Sequence, residues 1–172
     1  MIYRIRVLLD TEEDVFRDIE IQGSSTFEQF HQEIIRAFGW QAEEMASFYE
    51  SNENWDKGKE IPLMDIQEEF GPEKLATMSE AKVEDYLHHV GDKMLYVFDF
   101  FLMWCFYLDV VAIKAPSSSQ TYPWVAVSYG DAPAQHEKEP VDFGGSEPES
   151  NGDDEDDKSG PYDFNFDDLI EN

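Results

Sequence analysis

Hydrophobic and polar positions alternate along two short segments near the start of the sequence. Residues 2–9 and 15–21 both show this alternation, and the polar residues 10–14 separate them. A period of two places apolar side chains on one face of a β-strand. The pattern therefore predicts two antiparallel strands joined by a turn.

The spacing changes to three and four residues after residue 26, which predicts one amphipathic helix. Thr26 can cap its start, and Gly39 can end it in a left-handed conformation. The apolar stripe consists of Phe27, Phe30, Ile34 and Phe38. Farther along, residues 45–50 and 61–64 favour short strands, and residues 79–87 favour a short helix capped by Ser79.

Residues 94–113 form the most apolar run and contain seven aromatic side chains. A membrane helix would place Asp99 and Asp109 within its span, and each carboxylate would cost roughly 2.5–3.5 kcal/mol near the bilayer centre. Strand-like alternation instead places both aspartates on one half-exposed sheet face. We therefore predict a buried hairpin and no membrane segment.

The order of these elements predicts an α+β fold of the β-grasp (ubiquitin-like) type, in which one main helix crosses a mixed sheet. Residues 122–127 suit either a last short strand or an ordered arm over the sheet. We assign residues 1–145 to one domain and residues 146–172 to an acidic tail.

The tail contains eleven acidic residues and one basic residue, for a charge of −10. Self-repulsion in the run Asp153–Asp157 predicts disorder. Residues 160–172 differ because aromatic and aliphatic side chains punctuate the acids, as in a short docking motif that acts in cis or in trans. The docking residues would be Tyr162, Phe164, Phe166, Leu169 and Ile170.

The whole chain is strongly acidic, with 39 Asp and Glu against 12 Lys and Arg and a net charge of −27. Nucleic-acid binding needs Lys and Arg to neutralise phosphates, so we expect no direct nucleic-acid binding. An acidic DNA mimic or a mobile-element accessory protein stays an alternative. The single cysteine, Cys105, and the absence of a signal-peptide pattern favour a cytoplasmic protein.

The candidate polar site consists of His31 and Asp99, together with Trp104, which follows Asp99 in the sequence. His31 lies beside the apolar stripe of the helix and could meet Asp99 across the helix–sheet interface. Such a pair could act as an acid/base or metal-binding site, or it could be a structural hydrogen bond. Because no nucleophile motif accompanies it, we favour the structural alternative and predict no catalytic residues, metal or cofactor.

Two segments resemble the plasmid pRiA ORF-three-like family, some members of which are labelled insertion-element TnpR passenger proteins. Residues 26–40 resemble its T-L-x-x-L-H-x-x-I-x-x-A-F-G-W pattern, and residues 96–108 resemble its Y-x-Y-D-F-G-D-x-W-x-H-x-I pattern. A third piece, Gly130–Pro133 with Gly144 and Gly145 downstream, is similar to the closing pattern of the family. The matching residues include Thr26, Phe38, Gly39, Trp40, Tyr96, Phe98 and Trp104.

The sequence departs from the second pattern where the family has polar residues. Phe101, Leu102 and Phe106 replace its Gly, Asp and His, so Asp99 alone remains of a polar cluster. The resemblance implies a β-grasp-like α+β fold over residues 1–145 and no established reaction. We expect a non-catalytic protein-interaction domain with an unknown protein partner; a degenerate hydrolase or metal site at His31 and Asp99 is the main alternative.

Overall fold

The computed structural model describes residues 1–66 and 74–140 of the chain. Its strands are β1 (Ile2–Leu9), β2 (Phe16–Gln22), β3 (Ala46–Glu50), β4 (Glu60–Pro62), β5 (Lys93–Phe98), β6 (Trp104–Lys114) and β7 (Trp124–Tyr129). Its helices are α1 (Phe27–Phe38) and α2 (Val83–Tyr86). The strands form a single seven-stranded sheet in the order β4-β3-β5-β6-β1-β2-β7.

All pairings between the described strands are antiparallel, so the predicted mixed sheet is wrong for this part of the chain. The reason is the position of β6, which turns back from β5 and pairs with both β5 and β1. A β-grasp sheet would place its first and last strands side by side and parallel. The α+β class holds, but the sheet dominates the fold and the β-grasp assignment is not confirmed.

Helix α1 begins and ends at the residues that local chemistry favours. The Thr26 hydroxyl accepts a hydrogen bond from the Gln29 backbone N–H, and the Gln29 side chain accepts one from the Thr26 N–H. This reciprocal capping box satisfies two N–H groups that a helix start leaves without intrahelical partners. Gly39 ends the helix with φ of 72°, a left-handed conformation that glycine adopts without a Cβ clash.

The stripe of α1 packs on one side of the sheet, here called the first face. Phe48 of β3 lies at the centre of this contact, with ring centroids 4.9 Å from Phe27, 5.5 Å from Phe30 and 4.6 Å from Tyr96. Even-numbered residues of the β5–β6 hairpin also point to this face. They are Met94, Tyr96, Phe98, Trp104, Phe106, Leu108 and Val110, all buried.

Odd-numbered residues of the same hairpin point to the opposite side, the second face, and are also buried. We call one patch on it the apolar half: Tyr49, Leu95, Val97, Met103, Cys105 and Tyr107. The predicted half-exposed face is therefore wrong at the hairpin. Asp109 does lie on the second face, but Asp99 lies in the β5–β6 turn with φ of 60°.

The helix predicted from Ser79 starts later and is shorter than expected. Residues 78–80 form a turn in which the Glu80 and Ala81 N–H groups donate to the Thr77 carbonyl. Lys82 then pairs as an extended residue with Thr26, and the Ala81 carbonyl accepts from the Phe27 N–H. This docking to the start of α1 holds residues 81–82 extended, so α2 begins only at Val83.

Strand β7 forms one edge of the sheet. Residues 122–127 were predicted to form either a short strand or an ordered arm, and the structure has a strand that starts at Trp124. Arg17 fixes its end, because Nη1 donates to the Tyr129 and Gly130 carbonyls while Nε donates to the Ala37 carbonyl in the last turn of α1. No helix within residues 1–66 and 74–140 is long and apolar enough to cross a membrane.

Several predictions fall on residues that the structure does not describe. They concern the end of the 1–145 domain, including Gly144 and Gly145, and the whole tail 146–172. The docking residues Tyr162, Phe164, Phe166, Leu169 and Ile170 are among them.

Candidate functional site

His31 lies on the buried side of α1 and contacts β5. Its Nδ1 is 2.6 Å from the Tyr96 hydroxyl oxygen, and both side chains are almost fully buried. Burial lowers the pKa of His31 to about 4 and raises the pKa of Tyr96 well above its ordinary value. At neutral pH the imidazole is neutral and the phenol keeps its proton, so the pair is a neutral hydrogen bond inside the core.

Asp99 uses its carboxylate to hold the β5–β6 turn. Oδ1 accepts hydrogen bonds from the backbone N–H groups of Phe101 at 3.0 Å and Leu102 at 3.1 Å. The backbone carbonyl of Asp99 accepts from the Met103 N–H. Aspartate is common in turns because its carboxylate accepts hydrogen bonds from nearby backbone amides, and because it tolerates a positive φ.

The structure gives His31 and Asp99 different partners and shows no hydrogen bond between them in the described residues. His31 pairs with Tyr96, whereas Asp99 caps a turn. In the same part of the chain, no group of three or more His, Cys, Asp or Glu side chains is arranged to hold a metal ion. The arrangement therefore supports a structural role for each residue, and an acid/base role shared by His31 and Asp99 has no further geometric support.

Trp104 belongs to a second cluster, formed with Trp40 and the segment after β7. The Trp40 and Trp104 ring centroids are 4.8 Å apart. Trp40 Nε1 donates to the Pro133 carbonyl and Trp104 Nε1 donates to the Gln135 carbonyl, each at 2.9 Å. We call residues 131–138 the strap, because both indoles hold this segment across the end of the core.

The second face divides into the apolar half and a charged half. In the charged half, Arg6 makes two hydrogen bonds to Asp18, at 2.8 and 3.0 Å. Glu20 is 1% exposed and accepts from three donors: Arg4, Lys114 and Trp124 Nε1. Burial raises the pKa of Glu20, but these donors outweigh it and the pKa is lowered. In this half Arg6 pairs with Asp18, whereas Arg4 and Lys114 share the single carboxylate of Glu20.

Lysines lie beside the apolar half instead. Lys57 Nζ lies 5.1 Å from the centroid of the Tyr49 ring, and Lys93 Nζ lies 5.0 Å from that of Trp55. Lys138 lies over Trp104 and donates to the Met103 carbonyl. Among the described residues, the hydrophobic side chains packed on this half are Leu8, Trp55 and Phe100, all partly buried. Both described helices bury their apolar residues in the first-face cluster.

The family model for plasmid pRiA4b ORF-3-like proteins matches residues 1–145. The chain belongs to this family. No curated protein matches the chain. Among solved structures, the crystal structure of MM3350, a protein of unknown function from Methanosarcina mazei Go1, is similar with a TM-score of 0.66 and 18% sequence identity. The match covers 78% of this chain and 72% of that one, and it supports the fold alone.

The three segments that resemble family patterns meet at the strap. Trp40 comes from the first pattern, Trp104 from the second and Pro133 from the third. Thr26 and Gly39 cap α1, and the rings of Phe38, Phe98 and Tyr96 pack in the first-face core. In this member of the family, these pattern residues make structural contacts.

A separate cleft of about 440 Å³ opens between the end of β3 and the turn before β5. Glu50, Glu53, His88, His89 and Asp92 contribute to its wall. The His88 and His89 backbone N–H groups donate to Asp92 Oδ2, at 2.7 and 2.9 Å. Asp92 therefore stabilises the turn. Among the described residues, the rings of His88 and His89 do not belong to a group of three or more side chains that could hold a metal ion.

Sequence reasoning missed the residues that define the second face. Trp55 is isolated in a polar loop, and Lys57 and Lys138 belong to no pattern. Only the apolar character of odd positions in the hairpin, such as Leu95, Val97 and Tyr107, signalled a second buried face. The apolar odd positions were overlooked because the even positions of the hairpin contain more aromatic residues.

Proposed function

We propose that residues 1–145 form a non-catalytic protein-interaction domain whose binding surface is the apolar half of the second face. The observation that carries this proposal is an apolar cluster on the second face, with lysines at its rim and no helix layer among the described residues. Its six residues are at most 9% exposed, so a partner would reach them by displacing what now covers them. An apolar centre with a polar rim is typical of protein-binding surfaces.

The chemistry of the chain supports a protein partner over other classes. The net charge of −27 disfavours nucleic acid as a direct ligand. The His31–Tyr96 pair and the Asp99 turn are both accounted for by structural bonding, so the hydrolase or metal alternative gains no support from them. We further propose that the protein acts in the cytoplasm.

Site-specific photo-crosslinking in the source cell tests the interaction surface. Phe101 follows Phe100, which packs on the apolar half, and its side chain is 63% exposed. A photoreactive amino acid at Phe101 should yield a discrete protein adduct. The matched control is Val90, which is 62% exposed and lies outside the apolar half. An adduct pattern identical at both positions, or no adduct at Phe101, would contradict the proposed surface.

Metal analysis of the purified full chain tests the alternative site. We expect no stoichiometric metal in the wild-type protein or in His31→Ala. Stoichiometric metal that is lost in His31→Ala would overturn the non-catalytic proposal.

A further inference from the structure

The apolar half of the second face needs a cover, because large apolar groups left in water are costly. Its members Leu95, Val97 and Tyr107 are all buried. The first face has α1 and α2 as its cover, whereas no described helix packs on the second face; the described hydrophobic side chains packed against its apolar half are Leu8, Trp55 and Phe100.

The charge around this surface selects the kind of segment that fits. Lys57 lies over the Tyr49 ring, Lys93 lies over the Trp55 ring, and Lys138 donates to the Met103 carbonyl. Two carboxylates are also close, because the Tyr49 hydroxyl donates to Glu60 and Asp10 lies near Lys138 and Cys105. Lys93 also pairs with Asp109 at 3.1 Å, which leaves it shared with the charged half. A complementary segment would combine aromatic side chains with carboxylates, since potentials of opposite sign favour association and register.

The chain itself contains such a segment at residues 160–172. Tyr162, Phe164 and Phe166 alternate with Asp163, Asn165 and Asp167. In an extended backbone this alternation places the three rings on one side and polar groups on the other. Two further aliphatic residues, Leu169 and Ile170, follow, together with two more acids, Asp168 and Glu171.

The connection is long enough and starts in the right place. The strap brings Lys138 to the β5–β6 turn, where it contacts Met103 of the apolar half. Residues 141–159 then form the connection, which spans about 24 Å as a flexible coil and about 60 Å when extended. A tether of this length gives an effective concentration on the order of millimolar.

We propose that residues 160–172 dock in cis on the apolar half of the second face, with their rings on the sheet and their carboxylates toward the rim lysines. This inference rests on the proposed function, because the docked segment would occupy the same surface as the partner. It also defines the partner by chemistry: a protein with an acidic, aromatic-rich extended segment that displaces the tail.

Cys105 reports on the docking without an added label. It is the only cysteine, lies in the apolar half and is 9% exposed. Burial raises the pKa of its thiol to about 12, so reaction with an aromatic disulfide reagent should be slow. In the full chain, the double variant Phe164→Ala/Phe166→Ala should react at least ten-fold faster than wild type.

The matched control is Asn165→Ala/Asn172→Ala, which alters the same segment and leaves its rings in place. This control should react at the wild-type rate. An unchanged Cys105 rate in Phe164→Ala/Phe166→Ala, with its circular dichroism spectrum intact, would overturn the inference. If that variant loses its folded spectrum, photo-crosslinking from position 164 in the full chain decides: adducts to β5 or β6 peptides are expected, and their absence overturns it.

Two further measurements of the Cys105 labelling rate, one on dilution of the protein and one with a free tail peptide added, distinguish docking in cis from covering by a second copy. The wild-type rate should not change over a fifty-fold dilution, and a peptide of residues 160–172 should slow labelling of the double variant. A rate that rises on dilution would assign the cover to a second copy and overturn docking in cis. If the double variant exposes Cys105 but Phe101 yields no partner adduct, the docking stands and the proposed function fails.

Discussion

The two faces of the sheet are both buried, but they are built differently. On the first face, rings from α1 and the strands contact one another around Phe48, and the only bonded polar pair described at its centre is that of His31 and Tyr96. The second face combines an apolar half with a charged half in which Glu20 is buried among three donors. We expect the first face to contribute more to stability, and our proposal assigns recognition to the second.

The largest expected effect comes from the first face. Phe48→Ala should lower the free energy of unfolding by about 3–5 kcal/mol, because it removes ring contacts to three neighbours in a core that cannot collapse fully. Urea denaturation of the full chain measures it. Leu95→Ala on the second face is the comparison and should cost at least about 1 kcal/mol less. A larger cost at Leu95 would reverse the assignment of the stabilising face.

The next effect is the pH dependence that His31, on the first face, contributes to the free energy of unfolding. The folded pKa of His31 is about 4, below the ordinary value of 6.5, so the unfolded chain binds a proton in this interval that the folded chain does not. The folded protein therefore has no stability cost from His31 above pH 6.5. As the pH falls from 6.5 toward 4, it loses up to about 3 kcal/mol of its free energy of unfolding.

Denaturation curves from pH 7 to pH 4 for wild type and His31→Asn test this dependence. Asn keeps a polar group near the Tyr96 hydroxyl but does not titrate. The variant should lose stability less steeply between pH 6.5 and 4, while the carboxylates of both proteins titrate alike. Parallel curves would show that His31 is not the group responsible.

The smallest effect tests the charged half. Glu20→Gln should cost about 2 kcal/mol, because Arg4 and Lys114 then lose their buried anion. Glu33→Gln is the control: Glu33 is also buried, but its cationic partner is the single Arg36, whose side chain is 66% exposed, so the cost should be smaller than at Glu20. Equal costs measured by thermal unfolding would argue that the several donors of Glu20 contribute no more than one exposed partner.

Local patterns predicted the elements well where one residue or one period decides the outcome. Thr26 and Gly39 mark the ends of α1, and alternation marks β1, β2 and the β5–β6 hairpin. Long-range pairing could not be predicted this way. Nothing in the local pattern of β6 states that it lies between β5 and β1, and this placement is what makes the described sheet antiparallel.

The candidate site was less predictable because it depended on partners distant in sequence. His31 and Asp99 were predicted as a candidate pair across the helix–sheet interface, but Tyr96 and two turn amides, respectively, are their observed partners. The strap was also missed, since carbonyls of Pro133 and Gln135 have no sequence pattern that directs them to two indoles.

The interior position of β1, between β6 and β2, also sets an order of events during synthesis. Its partner β2 follows within a few residues, whereas β6, its partner on the other side, begins only at Trp104. Until about a hundred further residues have emerged from the ribosome, neither edge of the nascent β1–β2 hairpin has its native neighbour, because β7, the other partner of β2, is made later still. Unpaired strand edges favour misassociation, so this family member should depend on chaperone protection late in translation, until the hairpin arrives.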